Sequence, residues 1–110
     1  MSTVAITVSI GRNVRVAGKI EPMPINRWTR FVAGVEWLVE VHAQGTRFTT
    51  AYGRGEWDGV EEESVVVTGE VAASRIDEVI RPWLAYLARE YGQDAIALTV
   101  GTTDLIKPKE

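Results

Sequence analysis

A chain of 110 residues, 45% hydrophobic and 25% charged, has the balance of one compact soluble domain and is too short for two independent cores. Without cysteine it carries no disulfide, thiol nucleophile or thiolate metal site, and its single histidine, His42, leaves no histidine pair for a zinc or iron centre. A net charge of −3 and an isoelectric point near 5.2 argue against general affinity for phosphate backbones, so nucleic acid is disfavoured as a partner.

The opening "MSTVAITVSIG" lacks the basic start and long apolar centre of a signal peptide, and no run reaches the length needed to span a bilayer. A cytoplasmic protein without membrane contact is expected, with one domain over 1–106 and a frayed tail over 107–110. In "TVAITVSIG", Val4, Ile6, Val8 and Ile10 fall on one face and Ala5, Thr7 and Ser9 on the other, the period of a half-buried strand. The stretch "GRNVRVAGKIEPMP", rich in glycine, proline and basic residues, shows no sustained period and reads as a long loop.

From Ile25 to Ala43 the residues Trp28, Phe31, Val32, Val35, Leu38, Val39 and His42 recur at helical spacing, with Gly45 as the stop. Two strands follow, one with Phe48, Thr50 and Tyr52 on one side and one with Val65 and Val67. They flank "GRGEWDGVEEES", residues 53–64, which reads as a long hairpin tip. Ser74 and Asp77 resemble a capping box for a second helix with Ile76, Val79, Ile80, Trp83, Leu87 and Tyr91 inward and Gly92 as its cap. Pro82 is expected to bend that helix without ending it. "DAIALTV" then alternates with Ile96, Leu98 and Val100 inward, and "TTDLI" offers a short further strand.

The order β-α-β-β-α-β specifies an α+β fold, a ferredoxin-like two-layer sandwich with a four-stranded antiparallel sheet and two helices on one face. That topology collects three connections at one end of the sheet: Gly11, Arg12 and Asn13; the tip at 53–64; and Tyr91, Gly92, Gln93 and Asp94. The residues in these connections carry a resemblance. The Gly11-Arg12 pair, Trp28 and Phe31 opening the first helix, Gly55 and Trp57 before Glu63-Ser64, and "GQDAI" at the last strand are similar to a group of small bacterial and actinobacterial-phage proteins. One branch of that group is a bacterial domain of unknown function found in exported proteins. The resemblance implies a shared fold and carries over no established activity. The chain departs from the exported branch in its signal-free start and its longer loop after the first strand.

The carboxylates Glu56, Asp58, Glu61, Glu62 and Glu63 do not follow the spacing of an EF-hand loop. No metal site and no cofactor is expected; a solvated acidic hairpin is the favoured reading, ahead of an acidic surface that recruits a basic partner or mimics a phosphate chain. Arg12 and Arg54 either clamp an anionic ligand or pair with Glu63 or Asp94 to hold the loops together. No serine on a strained turn accompanies His42, and the acidic run looks too wet for a carboxylate pair, so catalysis is the minority reading. Trp57 is expected to lie back over the stem of Arg12 or Arg54.

Trp37 falls almost opposite Trp28 on the helical wheel, near Val41. Either the long loop covers it or it anchors an interface. The other sheet face, with Thr7, Ala97 and Thr99, is small and flat and lacks the aromatics that stack RNA bases, which suits a face-to-face homodimer. These features together point to a non-enzymatic protein-interaction module, a phage-encoded accessory or host-modulating protein. Its contact candidates are Arg12, Asn13, Arg54, Trp57, Glu61 and Glu62, and its interface candidates are Trp37, Val41, Thr7, Ala97 and Thr99. The alternative is a small-molecule-binding protein or enzyme with a pocket between the sheets of an α+β-barrel dimer.

Overall fold

In the computed structural model, which describes residues 2–43 and 47–101, each strongly periodic segment forms the element its period requires. Strand β1 (Thr3–Gly11) is followed by β2 (Asn13–Val16), β3 (Lys19–Pro22), helix α1 (Ile25–His42), β4 (Thr49–Trp57), β5 (Val60–Ala72), a π-helical turn (Ile76–Ile80), α2 (Arg81–Glu90) and β6 (Ala97–Gly101). The main sheet has the order β4-β5-β1-β6 with every pair antiparallel, the ferredoxin-like arrangement of an α+β two-layer sandwich. The expected strand at 102–106, the tail at 107–110 and the stop at Gly45 lie outside the described residues.

Alternation decides which side of the sheet is buried. Val8 pairs with Val67 on one side and Leu98 on the other, and Ile10 pairs with Val65, so the same face of β1 and β5 turns a valine and isoleucine surface toward the helices. Helix α1 answers with Trp28, Phe31, Val32, Val35, Leu38 and Val39, all buried. At the amino-terminal end of α1, Phe31 stacks on Tyr91 with ring centroids 4.8 Å apart, joining α1 to the end of α2. Each such side chain, fully buried, contributes about 1.5–3 kcal/mol relative to exposure.

Several expectations are corrected. The segment after β1 is not a loop but the hairpin β2–β3, with Asn13 opposite Pro22 and Val16 opposite Lys19. Its turn residues Ala17 and Gly18 have φ of 52° and 79°, the left-handed pair that a two-residue hairpin turn demands. Composition hid it, because four-residue strands with a proline and basic residues have too little alternation to read. The stretch 53–64 is not a long tip: β4 and β5 stay paired to Trp57 and Val60, and only Asp58 and Gly59, at φ of 54° and 78°, make the turn.

The second helix also departs from its expected phase. No side-chain capping bond starts it, and Asp77 instead pairs with Arg81 at 2.9 Å. The Arg81 N–H reaches back five residues to the Ile76 carbonyl, giving the π-helical turn, and Pro82 falls in the first turn of α2 where its missing N–H leaves no gap. The wide turn shifts the inward series to Ile76, Ile80, Leu84 and Leu87, so Trp83 lies outside rather than in the core. Val100 and Tyr52 are likewise exposed, near the open edges of the sheet.

Candidate functional site

The three connections at one end of the sheet enclose a cleft of about 310 Å³. Its floor is the helix-free face of the sheet at Ser9, Gly11, Ser64 and Ala97. Its walls are Trp57 and Glu62 from the β4–β5 hairpin, Val14, Arg15 and Ile20 from the β2–β3 hairpin, and the turn at Gln93 and Asp94. The hairpin that composition concealed therefore supplies one wall.

Strand alternation sorts the acidic run. On β5, Glu62 shares the face of Ser64 and looks into the cleft, whereas Glu61 and Glu63 project to the opposite face. There Arg54 donates to Glu61, and Arg12 donates to Glu63 at 3.0 Å. Glu62 lies over Gly11, where a Cβ would stand 2.2 Å from Oε2, and its Oε1 accepts the Asn13 backbone N–H at 2.8 Å. Oε2 has no hydrogen-bond partner among the described residues.

A second carboxylate closes the cleft. Asp94 Oδ2 accepts the Trp57 indole N–H at 3.1 Å and Arg15 Nε at 3.1 Å, and Arg15 also donates to Asp58 beside the hairpin turn. The indole N–H and then Arg15 hold the Asp94 carboxyl below the usual carboxylate range, and the bonds to Asp58 and Asp94 raise the Arg15 guanidinium above its ordinary value. Asp58 and Asp94 thus share the single positive charge of Arg15, and Glu62 faces the floor with no ion pair among the described residues.

Arg12 is the knot of this end. Its Nε donates to the Met23 carbonyl at 2.8 Å, its backbone N–H to the Glu63 carbonyl at 3.0 Å, and its own carbonyl accepts Met23 N–H at 2.9 Å. Asn13 Nδ2 reaches the Glu61 carbonyl at 3.2 Å. Trp57 makes no cation–π contact with Arg12 or Arg54; its indole N–H donates to Asp94, and Asp94 also holds Arg15, a residue that sequence reasoning passed over. Only placement in three dimensions distinguishes Arg15 from the other surface arginines.

The interface candidates other than Ala97 lie outside the cleft. Thr7 pairs with Thr99 on the helix-free face, and Ala97 borders the cleft. Trp37 is 51% exposed and Val41 is exposed beside it; the β2–β3 hairpin lines the cleft and does not cover Trp37. Instead Trp37 meets Trp83 edge-on at 6.0 Å, and Trp83 meets Tyr86 at 5.6 Å. Among the described residues no group of three or more His, Cys, Asp or Glu side chains could hold a metal ion, and no helix is long and apolar enough to cross a membrane.

No family model matches the chain, and no curated protein matches it. Among solved structures it is similar to a phage SAM lyase in complex with S-methyl-5'-thioadenosine, with a TM-score of 0.55 and 12% identity over 91% of this chain and 81% of that one. A phage SAM lyase in the apo state aligns with a TM-score of 0.52 and 12% identity over 94% of this chain and 92% of that one. At this identity the likeness is one of fold.

Proposed function

We propose that the cleft binds a small cationic ligand carrying a flat heteroaromatic ring, the class to which S-adenosylmethionine belongs. The observation that carries this reading is the Glu62 carboxylate held over Gly11 with one oxygen unsatisfied, beside the Trp57 indole. A sulfonium about 4 Å from such a carboxylate gains roughly 1–4 kcal/mol, depending on how far water is excluded. Trp57 adds a π-face worth about 0.5–2 kcal/mol to a cation. The fold shared with a phage SAM lyase supports the ligand class and a phage-encoded origin; a phage-encoded protein of this kind would act in the host cytoplasm.

Chemistry on such a ligand would break the bond between the sulfonium sulfur and its aminobutyrate carbon. The bonding pair stays on sulfur and S-methyl-5'-thioadenosine leaves, while the ligand's own carboxylate oxygen bonds to the carbon that sulfur vacates and closes a five-membered lactone. Titration calorimetry with S-adenosylmethionine and with neutral S-methyl-5'-thioadenosine tests the binding, and chromatography of the mixture tests the cleavage. The sulfonium compound should bind at least tenfold more tightly than the thioether, and Glu62→Gln should abolish that preference. Absence of binding for both compounds at millimolar concentration would remove the reading.

The second reading is the interaction module. It rests on the exposed aromatic cluster of Trp37, Trp83 and Tyr86 across the outer faces of α1 and α2, with Val41 beside it. A homodimer through Thr7, Ala97 and Thr99 is compatible with either reading.

A further inference from the structure

Resting on the ligand-binding reading of the cleft, we infer that Asp94 is the positioning residue that holds Trp57 as the cleft wall, with Arg15 acting through it. The pairing of β1 with β5 ends at Gly11 and Ser64, so the last rungs of the β4–β5 hairpin extend past the body of the sheet. On the β5 side this extension is tied down by Arg12 and Asn13, through the Glu63 and Glu61 carbonyls and the Glu62 carboxylate. Strand β4 is the outer edge, and the indole N–H of its last residue, Trp57, donates across the cleft to Asp94.

Asp94 is fixed in turn. The Gln93 N–H closes on the Ala88 carbonyl at 2.8 Å, which seats the turn at the end of α2. Arg15 donates to the same Asp94 oxygen as Trp57 and continues to Asp58 at the hairpin turn. A single oxygen atom therefore joins the β4–β5 hairpin, the β2–β3 hairpin and the turn into β6, the three connections that bound the cleft. The indole has one polar hydrogen, so this bond selects one edge of the ring and sets which face lines the cleft. Without the bond the indole turns about its side-chain torsions and the wall is lost, while the ladder of β4 and β5 remains.

The test has a readout that needs no ligand. The Trp57 indole N–H cross-peak in a nitrogen–proton correlation spectrum is assigned by its disappearance in Trp57→Phe. Asp94→Ala should shift that cross-peak and accelerate its exchange with solvent, and Asp94→Asn, whose amide oxygen still accepts the bond, should restore it. Calorimetry with S-adenosylmethionine should show about tenfold weaker binding for Asp94→Ala, the loss of one hydrogen bond to a charged group, and recovery to within about threefold for Asp94→Asn. Arg15→Gln should give an intermediate loss. A Trp57 cross-peak unmoved in Asp94→Ala, with circular dichroism showing the fold intact, overturns the inference. An unchanged affinity in a variant whose cross-peak has moved overturns it too. Failure of the wild-type protein to bind either compound, with the cross-peak behaving as expected, defeats the ligand reading alone.

Discussion

The Glu62 carboxylate occupies the space a side chain at Gly11 would need: a Cβ there would stand 2.2 Å from Oε2 and 2.3 Å from the carboxyl carbon. The two residues are brought together by the β1–β5 register, in which Gly11 pairs with Ser64. Gly11→Ala should displace the carboxylate, the far end of a flexible side chain, from the Asn13 N–H. The cost in stability should be about 1 kcal/mol, since water can reach the vacated N–H. Affinity for S-adenosylmethionine should fall with it. Urea denaturation alongside calorimetry checks both, and an unaltered affinity would show that Glu62 does not face the ligand.

Acid should remove the stability that the ionised Asp94 contributes. Asp94 is held below its ordinary value of 3.8 by the Trp57 indole N–H and by Arg15, so the unfolded chain takes up its proton at higher pH than the folded one. Its contribution to stability is therefore full above that ordinary value and is lost as pH falls through the lower folded value. The melting temperature of Asp94→Asn should decline less between pH 5 and pH 3, values on the order of the carboxylate range, than that of the wild type. Equal declines would mean that the ionised form gains nothing on folding.

The outer aromatic cluster should matter little to the isolated fold. Trp37 and Trp83 meet edge-on while each stays 42% exposed or more. Such a pair is worth about 0.5–1.5 kcal/mol beyond its burial, toward the low end where water reaches both rings. The double variant Trp37→Ser with Trp83→Ser should lose about 1 kcal/mol by denaturant titration and retain cleft binding. If the helices carry an interaction surface, the same variant should abolish association in sedimentation equilibrium.

The two hairpin turns respond in opposite senses. Gly59, at φ of 78°, takes a conformation that a β-branched side chain resists, and Gly59→Val should cost about 1–2 kcal/mol. Ala17 already bears that strain at φ of 52°, so Ala17→Gly should be neutral or stabilising by a few tenths of a kcal/mol, roughly, once the entropy of glycine is counted. Thermal unfolding distinguishes them, and equal destabilisation by both would contradict the turn geometry.

The sequence by itself determined the elements whose side chains repeat over several turns or rungs. Alternation in Thr3–Gly11 and the helical spacing from Trp28 to Val39 specified β1 and α1, and the order of elements then restricted the sheet to the ferredoxin-like arrangement. It also placed Gly11, Asn13, Trp57 and Gln93 at one end, because topology alone decides which connections share an end of a sheet. Tertiary structure decided the rest. Strands β2 and β3 have four residues each, too few to show a period, and form because a left-handed turn closes them. Trp83 reads as inward on an ideal helix and is outward because one π-helical turn shifts the phase. Asp94, Arg15 and Trp57 meet across separations of 37 and 79 residues, and no local pattern records which of several carboxylates an indole or guanidinium will find. That choice depends on distance in three dimensions, which register and packing set.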